Sequence, residues 1–333
     1  MSGQTLNKIL VIQTASIGDV ILATPIVEKM HTFYPNSKID FLVKKGNESL
    51  FDSHPFLHKV LVWNKSKNKY RNLLKLITVI RQNRYDCVIN VQRFASSGFI
   101  TAISGAGIKI GFDKNPFSRF FNIVVKHEIL KGDRHEIDRN LELISSLTNE
   151  QKQPIKLYPS KDIYQKLLIY KKQAYITISP TSLWFTKQFP KEKWIEFINA
   201  IKKDVVIYLL GAPNDFDKCN EIIQESTYIN IHNLAGKLSF LESAALMKDA
   251  RMNFVNDSAP MHLSSSVNAP TTAIFCSTVP EFGFGPKSDD SLVVETHQKL
   301  DCRPCGLHGH RECPFKHFKC AKTIDITQLL SRI

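Results

Sequence analysis

Apolar runs alternate with stretches of helical periodicity through the first half of the chain: KILVI (8–12), KIDFLV (38–43), KVLVW (59–63), DCVINV (86–91) and IKIGF (108–112). Between them Val20, Ile21, Ala23, Ile26, Val27 and Met30 recur at helical spacing, as do Leu73, Leu74, Ile77 and Ile80. Strand, helix, strand repeated in this way predicts a parallel sheet wrapped by helices, with those stripes as its core. Residues 149–173, with two prolines and much charge, read as a connection followed by a short helix. The pattern then restarts. AYITISP (174–180), DVVIYLLG (204–211), ARMNFVND (250–257) and PTTAIFC (270–276) predict buried strands, separated by helices near 191–202, 214–225, 239–248 and 259–267. The halves do not align with one another in sequence. The expected fold is α/β, two Rossmann-like domains facing each other across a cleft: residues 1–155, a connection over 156–173, and residues 174–333. Ligands of such sheets bind beyond the carboxyl ends of the strands, so the turns after each strand are where chemistry is expected.

At 333 residues and 43% hydrophobic content, the chain can fill two cores. The N-terminus has one lysine and a four-residue apolar run before polar residues intervene, which predicts neither a signal peptide nor a membrane span. No other stretch has the apolar length to cross a bilayer, so a cytoplasmic protein is expected. Lys and Arg exceed Asp and Glu by 44 to 31, a net charge of +13 that favours anionic partners. No zinc-finger pairing, no RNP-type aromatic motif and no basic amphipathic run of helical length accompanies that charge, which argues against nucleic acid.

Three turns stand out. After the first apolar run, Thr14-Ala15-Ser16-Ile17-Gly18-Asp19 opens a helix. Asp19 is either a first-turn acid complementing the helix dipole or a carboxylate at the sheet edge able to take a proton from a hydroxyl nucleophile. The turn is neither a G-x-G-x-x-G fingerprint nor a Walker A loop. In ISPTSLWFTKQFPKEKW (178–194), Thr181, Ser182 and Thr186 supply hydroxyls and Lys187 a point charge suited to phosphate, unless it is a solvated loop residue. In NFVNDSAPMHLSSSVNAPTTAIF (253–275), Ser258 is placed to cap a helix and Pro260 fits its first turn, so backbone N–H groups there suit a pyrophosphate. His262 lies in that helix of small residues, either as a core histidine or as a phosphate contact. At Gly211-Ala212-Pro213-Asn214-Asp215, the acid either starts a helix or binds ribose hydroxyls.

Taken together, S-I-G-D near the N-terminus, T-K-x-x-P in the middle, L-A-G-K-x-S-x-x-E and D-S-x-P-M-H resemble the bacterial lipopolysaccharide heptosyltransferase family over about residues 8–325. The resemblance implies a GT-B fold and an inverting, metal-independent transfer of heptose from ADP-heptose to the lipopolysaccharide inner core. Carried over by motif, the general base falls on Asp19, the phosphate-binding lysine on Lys187, and the donor-site acid and histidine on Asp257 and His262. Ser258, Ala259 and Met261 share the donor block, and Ser16 and Gly18 share the acceptor block. Two departures are visible: Ala259 stands where a glycine is common, and Pro213 where many members carry the ribose acid, leaving Asp215 as its substitute. The implied acceptor, a lipid A-core bearing phosphates and acidic sugars, suits Arg93, Arg119 and Arg134, and also Lys109, Lys114 and Arg139, whose alternative role is ordinary surface. The basic excess suits peripheral attachment to the cytoplasmic face of an anionic inner membrane. Transfer from another nucleotide sugar and non-catalytic nucleotide binding are the competing readings.

Of seven cysteines, Cys87, Cys219 and Cys276 read as structural. Cys302, Cys305, Cys313 and Cys320, interleaved with His308, His310 and His317, offer enough ligands for a structural zinc ion that catalysis would not require.

Overall fold

The computed structural model describes residues 5–66, 68–129 and 134–333. Of the N-terminal segment discussed above, residues 1–4 lie outside the described residues. The chain divides into two compact units between Tyr158 and Pro159.

In the first unit β1 (Lys8–Ile12), β2 (Lys38–Lys44), β3 (Leu57–Trp63), β4 (Cys87–Asn90), β5 (Ile108–Phe112) and β6 (Ile123–Val125) form one parallel sheet in the order β3-β2-β1-β4-β5-β6. The central strands are mostly apolar and almost wholly buried because helices cover both faces of a parallel sheet. Ile9 to Ile12 of β1 and all of β4 are buried accordingly. Helix Lys69–Asn83 lays Leu76, Ile77 and Ile80 onto a core with Leu10, Ile12, Leu42, Trp63 and Val88. The buried acid Asp40 in β2 is satisfied by the Tyr85 hydroxyl at 2.5 Å and by His58 Nδ1 at 3.0 Å.

The second unit repeats the plan with β7 (Tyr175–Ser179), β8 (Val206–Leu209), β9 (Ile231–Asn233), β10 (Asn253–Asn256), β11 (Thr271–Phe275) and β12 (Ser291–Glu295), ordered β12-β11-β10-β7-β8-β9. All its pairings are parallel. Helix Lys191–Asn199 packs Trp194, Phe197 and Ile198 against Ile176, Ile178 and Phe254. In each unit the strand order reverses beside the first strand, between β1 and β4 and between β7 and β10. That reversal opens the crevice where open α/β sheets hold ligands.

Every strand expected from the apolar runs forms. Three further strands, β6, β9 and β12, have no counterpart in the expectation, and all three lie at sheet edges. Residues 156–173 are shared between the units. Lys156 donates its backbone N–H to Thr24 Oγ1 in the first, whereas the helix Lys161–Lys166 belongs to the second, where Lys171 Nζ reaches Asp249 Oδ2 at 2.6 Å. Among the described residues no helix is long and apolar enough to cross a membrane.

Candidate functional site

The turn after β1 shows why an acid stands at position 19. Ser16 is extended (φ −72°, ψ 169°) and precedes helix Ile17–Leu22, so its own N–H and the first-turn N–H groups lack intrahelical partners. Asp19 Oδ2 accepts the Ser16 backbone N–H at 3.1 Å and is also bonded by the Ser16 hydroxyl. The capping acid and the candidate base are therefore one group. Both bonds use Oδ2, leaving Oδ1 outside the cap, and the side chain is half-buried. Gly18 is buried.

Lys65, which the sequence reading did not single out, reaches the same strand end. Its ammonium donates to Thr14 O at 2.9 Å and to Thr14 Oγ1 at 2.8 Å, and Thr14 Oγ1 in turn donates to Gln92 Oε1 at 2.7 Å. Burial, and then the charges of Lys44 and Lys69, lower its pKa to about 8. Its place just past β3 was the only signal available.

In the second unit the loops after β7, β10 and β11 converge. Lys187 Nζ lies 2.6 Å from Asp257 Oδ2, and the Thr278 hydroxyl donates to the same oxygen at 2.6 Å. Asp257 is buried, and the Lys187 side chain is only 15% exposed. Asn256 stitches the loops together. Its Oδ1 accepts the Phe189 N–H at 2.9 Å, and its Nδ2 donates to Ser179 O at 3.2 Å and Thr181 O at 3.4 Å. Gln188 Nε2 donates to Ser182 O at 2.6 Å, so Thr181 and Ser182 are held through their carbonyls. Thr186 is buried, its Oγ1 accepting the Ser277 hydroxyl at 3.0 Å. Asn256, Ser277 and Thr278 carry no sequence signal beyond their positions at strand ends.

His262 is buried within helix Ala259–Ser266, and its Nδ1 has no hydrogen-bond partner. Burial, aided by Lys187 and opposed by Asp257, lowers its pKa to about 4, so the ring is neutral near pH 7. A neutral imidazole with an unsatisfied buried nitrogen is a polar handle waiting for a partner. Met261 is buried in the same turn.

Ser258 occupies the cap position but does not cap. Its backbone is fully extended (φ −159°, ψ −179°), and its hydroxyl turns back to Asn256 O at 3.4 Å. Pro260 lacks an N–H, and the Met261 N–H returns to Ser258 O at 3.1 Å. The amide surface offered by Ser258 and Ala259 is therefore narrower than the sequence suggests.

After β8, Asp215 Oδ2 accepts the Ala212 N–H at 2.8 Å, which is the helix-start role. Gly211 has no room for a side chain, since a Cβ would lie 2.9 Å from Asp215 Cβ. Gly236 of the L-A-G-K stretch, at φ +74°, donates its N–H to Gly211 O at 2.9 Å and packs against Pro213. The S-x-x-E that follows it is a capping box: Glu242 N–H to Ser239 Oγ at 3.2 Å and Ser239 N–H to Glu242 Oε2 at 2.7 Å.

The basic residues of the first unit differ among themselves. Arg139 is buried, bonded to Glu136 Oε2 at 2.6 Å and Arg134 O at 2.5 Å, so its role is structural. Arg134 is exposed and pairs with Glu142 at 2.7 Å. Arg119 is exposed, with its guanidinium 4.8 Å from the Phe120 ring centre. Arg93 and Lys109 are half-buried and Lys114 is exposed.

The four cysteines expected to offer a structural zinc site, Cys302, Cys305, Cys313 and Cys320, lie near one another. All seven cysteines are free thiols, and among the described residues no group of three or more His, Cys, Asp or Glu side chains is placed to hold a metal ion. Cys305 Sγ donates to Cys302 O at 3.0 Å, Cys302 Sγ lies 3.8 Å from His317 Nε2, and Cys320 is buried in the core with Phe318 and Ala321. Burial first, and then the neighbouring cysteines, push the Cys320 thiol up to about 12, and Cys305 is raised for the same reasons.

The model of glycosyltransferase family 9 (heptosyltransferase) matches residues 73–317, well over half of the chain. Lipopolysaccharide heptosyltransferase 3 of Escherichia coli is 27% identical over 275 residues, covering 78% of this chain and 81% of that protein. The E. coli ADP-heptose lps heptosyltransferase II structure superposes with a TM-score of 0.79 at 18% identity, over 98% of this chain and 97% of that one. The E. coli heptosyltransferase WaaC with ADP gives 0.70 at 20% identity, over 86% and 92%. The likeness to these structures is one of fold, the two Rossmann-like α/β units of the GT-B class.

Proposed function

The chain belongs to glycosyltransferase family 9, the heptosyltransferases, and on that premise we propose that it transfers a heptose from ADP-heptose to the inner core of a lipopolysaccharide, with inversion. The observation that carries the reading is the buried cluster of Lys187, Asp257, Thr278 and His262 at the strand-order reversal of the second unit. A lysine held by one carboxylate is preset for a diphosphate. Lys187 contributes a compact charge to the phosphates, neutral His262 contributes a ring nitrogen, and Asp257 keeps the ammonium oriented. As the bond from the anomeric carbon to the diphosphate oxygen breaks, negative charge grows on ADP where Lys187 stabilises it.

The acceptor hydroxyl needs a base. Asp19 takes its proton through Oδ1 while Oδ2 stays tied to Ser16, so the carboxylate is oriented before the acceptor arrives. Ser16, Gly18, Arg93, Arg119 and Arg134 belong to this acceptor side, and exposed arginines suit a phosphorylated, acidic lipid. The same excess of positive charge suits attachment to an anionic membrane leaflet.

Asp215 Oδ2 is committed to the Ala212 amide, which reduces its capacity for a ribose, a group that ADP-, UDP- and GDP-sugars share, so the competing reading, transfer from another nucleotide sugar, turns on the base. The test is a panel of ADP-, UDP- and GDP-sugars offered with a core-lipid acceptor while nucleotide release is followed. Release of ADP from ADP-heptose, dependent on acceptor and on Asp19, is expected. Turnover only with a UDP- or GDP-sugar would overturn the donor assignment.

A further inference from the structure

The tail beyond β12 returns to the second unit and touches the phosphate site directly. It is fastened upstream by Arg303, whose guanidinium donates to Cys276 O at 2.8 Å, Phe275 O at 3.2 Å and Thr278 O at 2.8 Å and pairs with Glu295 at 2.6 Å. The Cys305 N–H adds a bond to Ser277 O at 2.9 Å. Downstream, His310 and Thr186 exchange two bonds: Thr186 N–H to His310 O at 3.1 Å and His310 N–H to Thr186 Oγ1 at 2.8 Å. Thr186 is the residue before Lys187. Gly309 then lies under the lysine stem, where a Cβ would come within 2.9 Å of Lys187 Cγ, 3.4 Å of Lys187 Cδ and 3.0 Å of Thr186 Oγ1.

We propose that the Gly309–His310 turn is a positioning element of the donor site, setting the course of Lys187 so that its ammonium is held where the phosphates arrive. The inference rests on the reading of Lys187 as a phosphate ligand. A lysine side chain is long and rotamer-rich, and holding it in one geometry costs conformational freedom on binding. Here the stem is packed against bare backbone and the preceding residue is bonded on its N–H and its hydroxyl, so much of that freedom is lost before the ligand binds. Supporting contacts of this kind decide whether a binding group is held tightly enough to act. Only glycine permits the contact, because φ is +75° and the space a side chain needs is already filled by Lys187.

The experiment is calorimetric titration of the full-length protein with ADP. Gly309→Ala is expected to weaken ADP about tenfold. Gly306→Ala is the control for backbone strain, since Gly306 has the same φ of +75° but nothing within 4 Å of its Cβ position, and its affinity should stay within about twofold. Adding Gly309→Ala to Lys187→Ala should bring almost no further loss, because one interaction cannot be removed twice. If Gly309→Ala is not recovered folded, Thr186→Val replaces it, removing at nearly constant shape the acceptor shared by the His310 N–H and the Ser277 hydroxyl, with about a fivefold loss expected and Ser277→Ala, which removes only the second bond, expected to stay within about twofold. Wild-type affinity in Gly309→Ala, or in Thr186→Val where that is used, while Lys187→Ala binds weakly overturns the positioning role alone. Equal weakening in Gly306→Ala and Gly309→Ala also overturns it. Wild-type affinity in Lys187→Ala overturns the phosphate reading and this inference together.

Discussion

The two units share one strand order, yet their sites are assembled in opposite ways. In the first, Asp19 is held by a residue three positions away, through a serine N–H and hydroxyl in a single turn. In the second, Lys187 meets Asp257, Asp257 meets Thr278, and Thr186 meets both Ser277 and the distant His310. The first is a local device on a half-buried turn. The second is a buried charge network drawn from three strand ends and a tail, stable only because each member answers another. In the proposed roles, a carboxylate that exchanges protons is served by a site near solvent, and an ammonium that holds phosphate by a drier one.

The sharpest way to separate the two halves is Asp19→Ala. Transfer should fall by about 10² to 10⁴ while ADP affinity stays unchanged, measured by nucleotide release and calorimetry. Retained turnover would reduce Asp19 to a helix cap. Lys187→Ala should act on the other half: ADP affinity falls about tenfold to a hundredfold. With Asp257 left to the Thr278 hydroxyl alone, unfolding free energy drops by about 3 kcal/mol, read from urea midpoints.

The pH dependence sharpens the contrast further. His262 is protonated at about 4 in the folded chain, against 6.5 for an unperturbed histidine. The unfolded chain therefore binds a proton that the folded one refuses. The stability this contributes is complete above pH 6.5 and is lost as pH falls through that window toward 4, by up to about 3 kcal/mol. Urea midpoints across the window should show this slope, flattened in His262→Gln. The smallest effect belongs to Asp215→Ala, which removes the bond from the Ala212 N–H. Stability should fall by about 1 kcal/mol, with ADP affinity within about twofold. A larger loss of affinity would restore Asp215 to the ribose.

Much of this architecture is legible in the amino-acid string because it depends on local chemistry. The central strands announce themselves as short, mainly apolar runs, since a strand covered on both faces favours apolar residues. The S-x-G-D turn and the S-x-x-E box are legible for the same reason, as each closes its hydrogen bonds within four residues. Three of the four edge strands, β6, β9 and β12, were not. In β9, Ile231-His232-Asn233 is three residues with an exposed middle, and its pairing with β8 comes from a neighbour far along the chain.

At the site the division follows the same physics. The chain's own pattern marks Asp19, Lys187, Asp257 and His262 as residues at strand ends. It does not mark Thr278 as the partner of Asp257, Lys65 as the cation on Thr14, or Gly309 as the support of Lys187. Nor does it reveal the bond from the Cys305 thiol to Cys302 O. Backbone periodicity and capping act over a few residues and are written in order along the chain. Burial, charge pairing and side-chain exclusion depend on which distant segments meet, and those meetings exist only once the chain has folded.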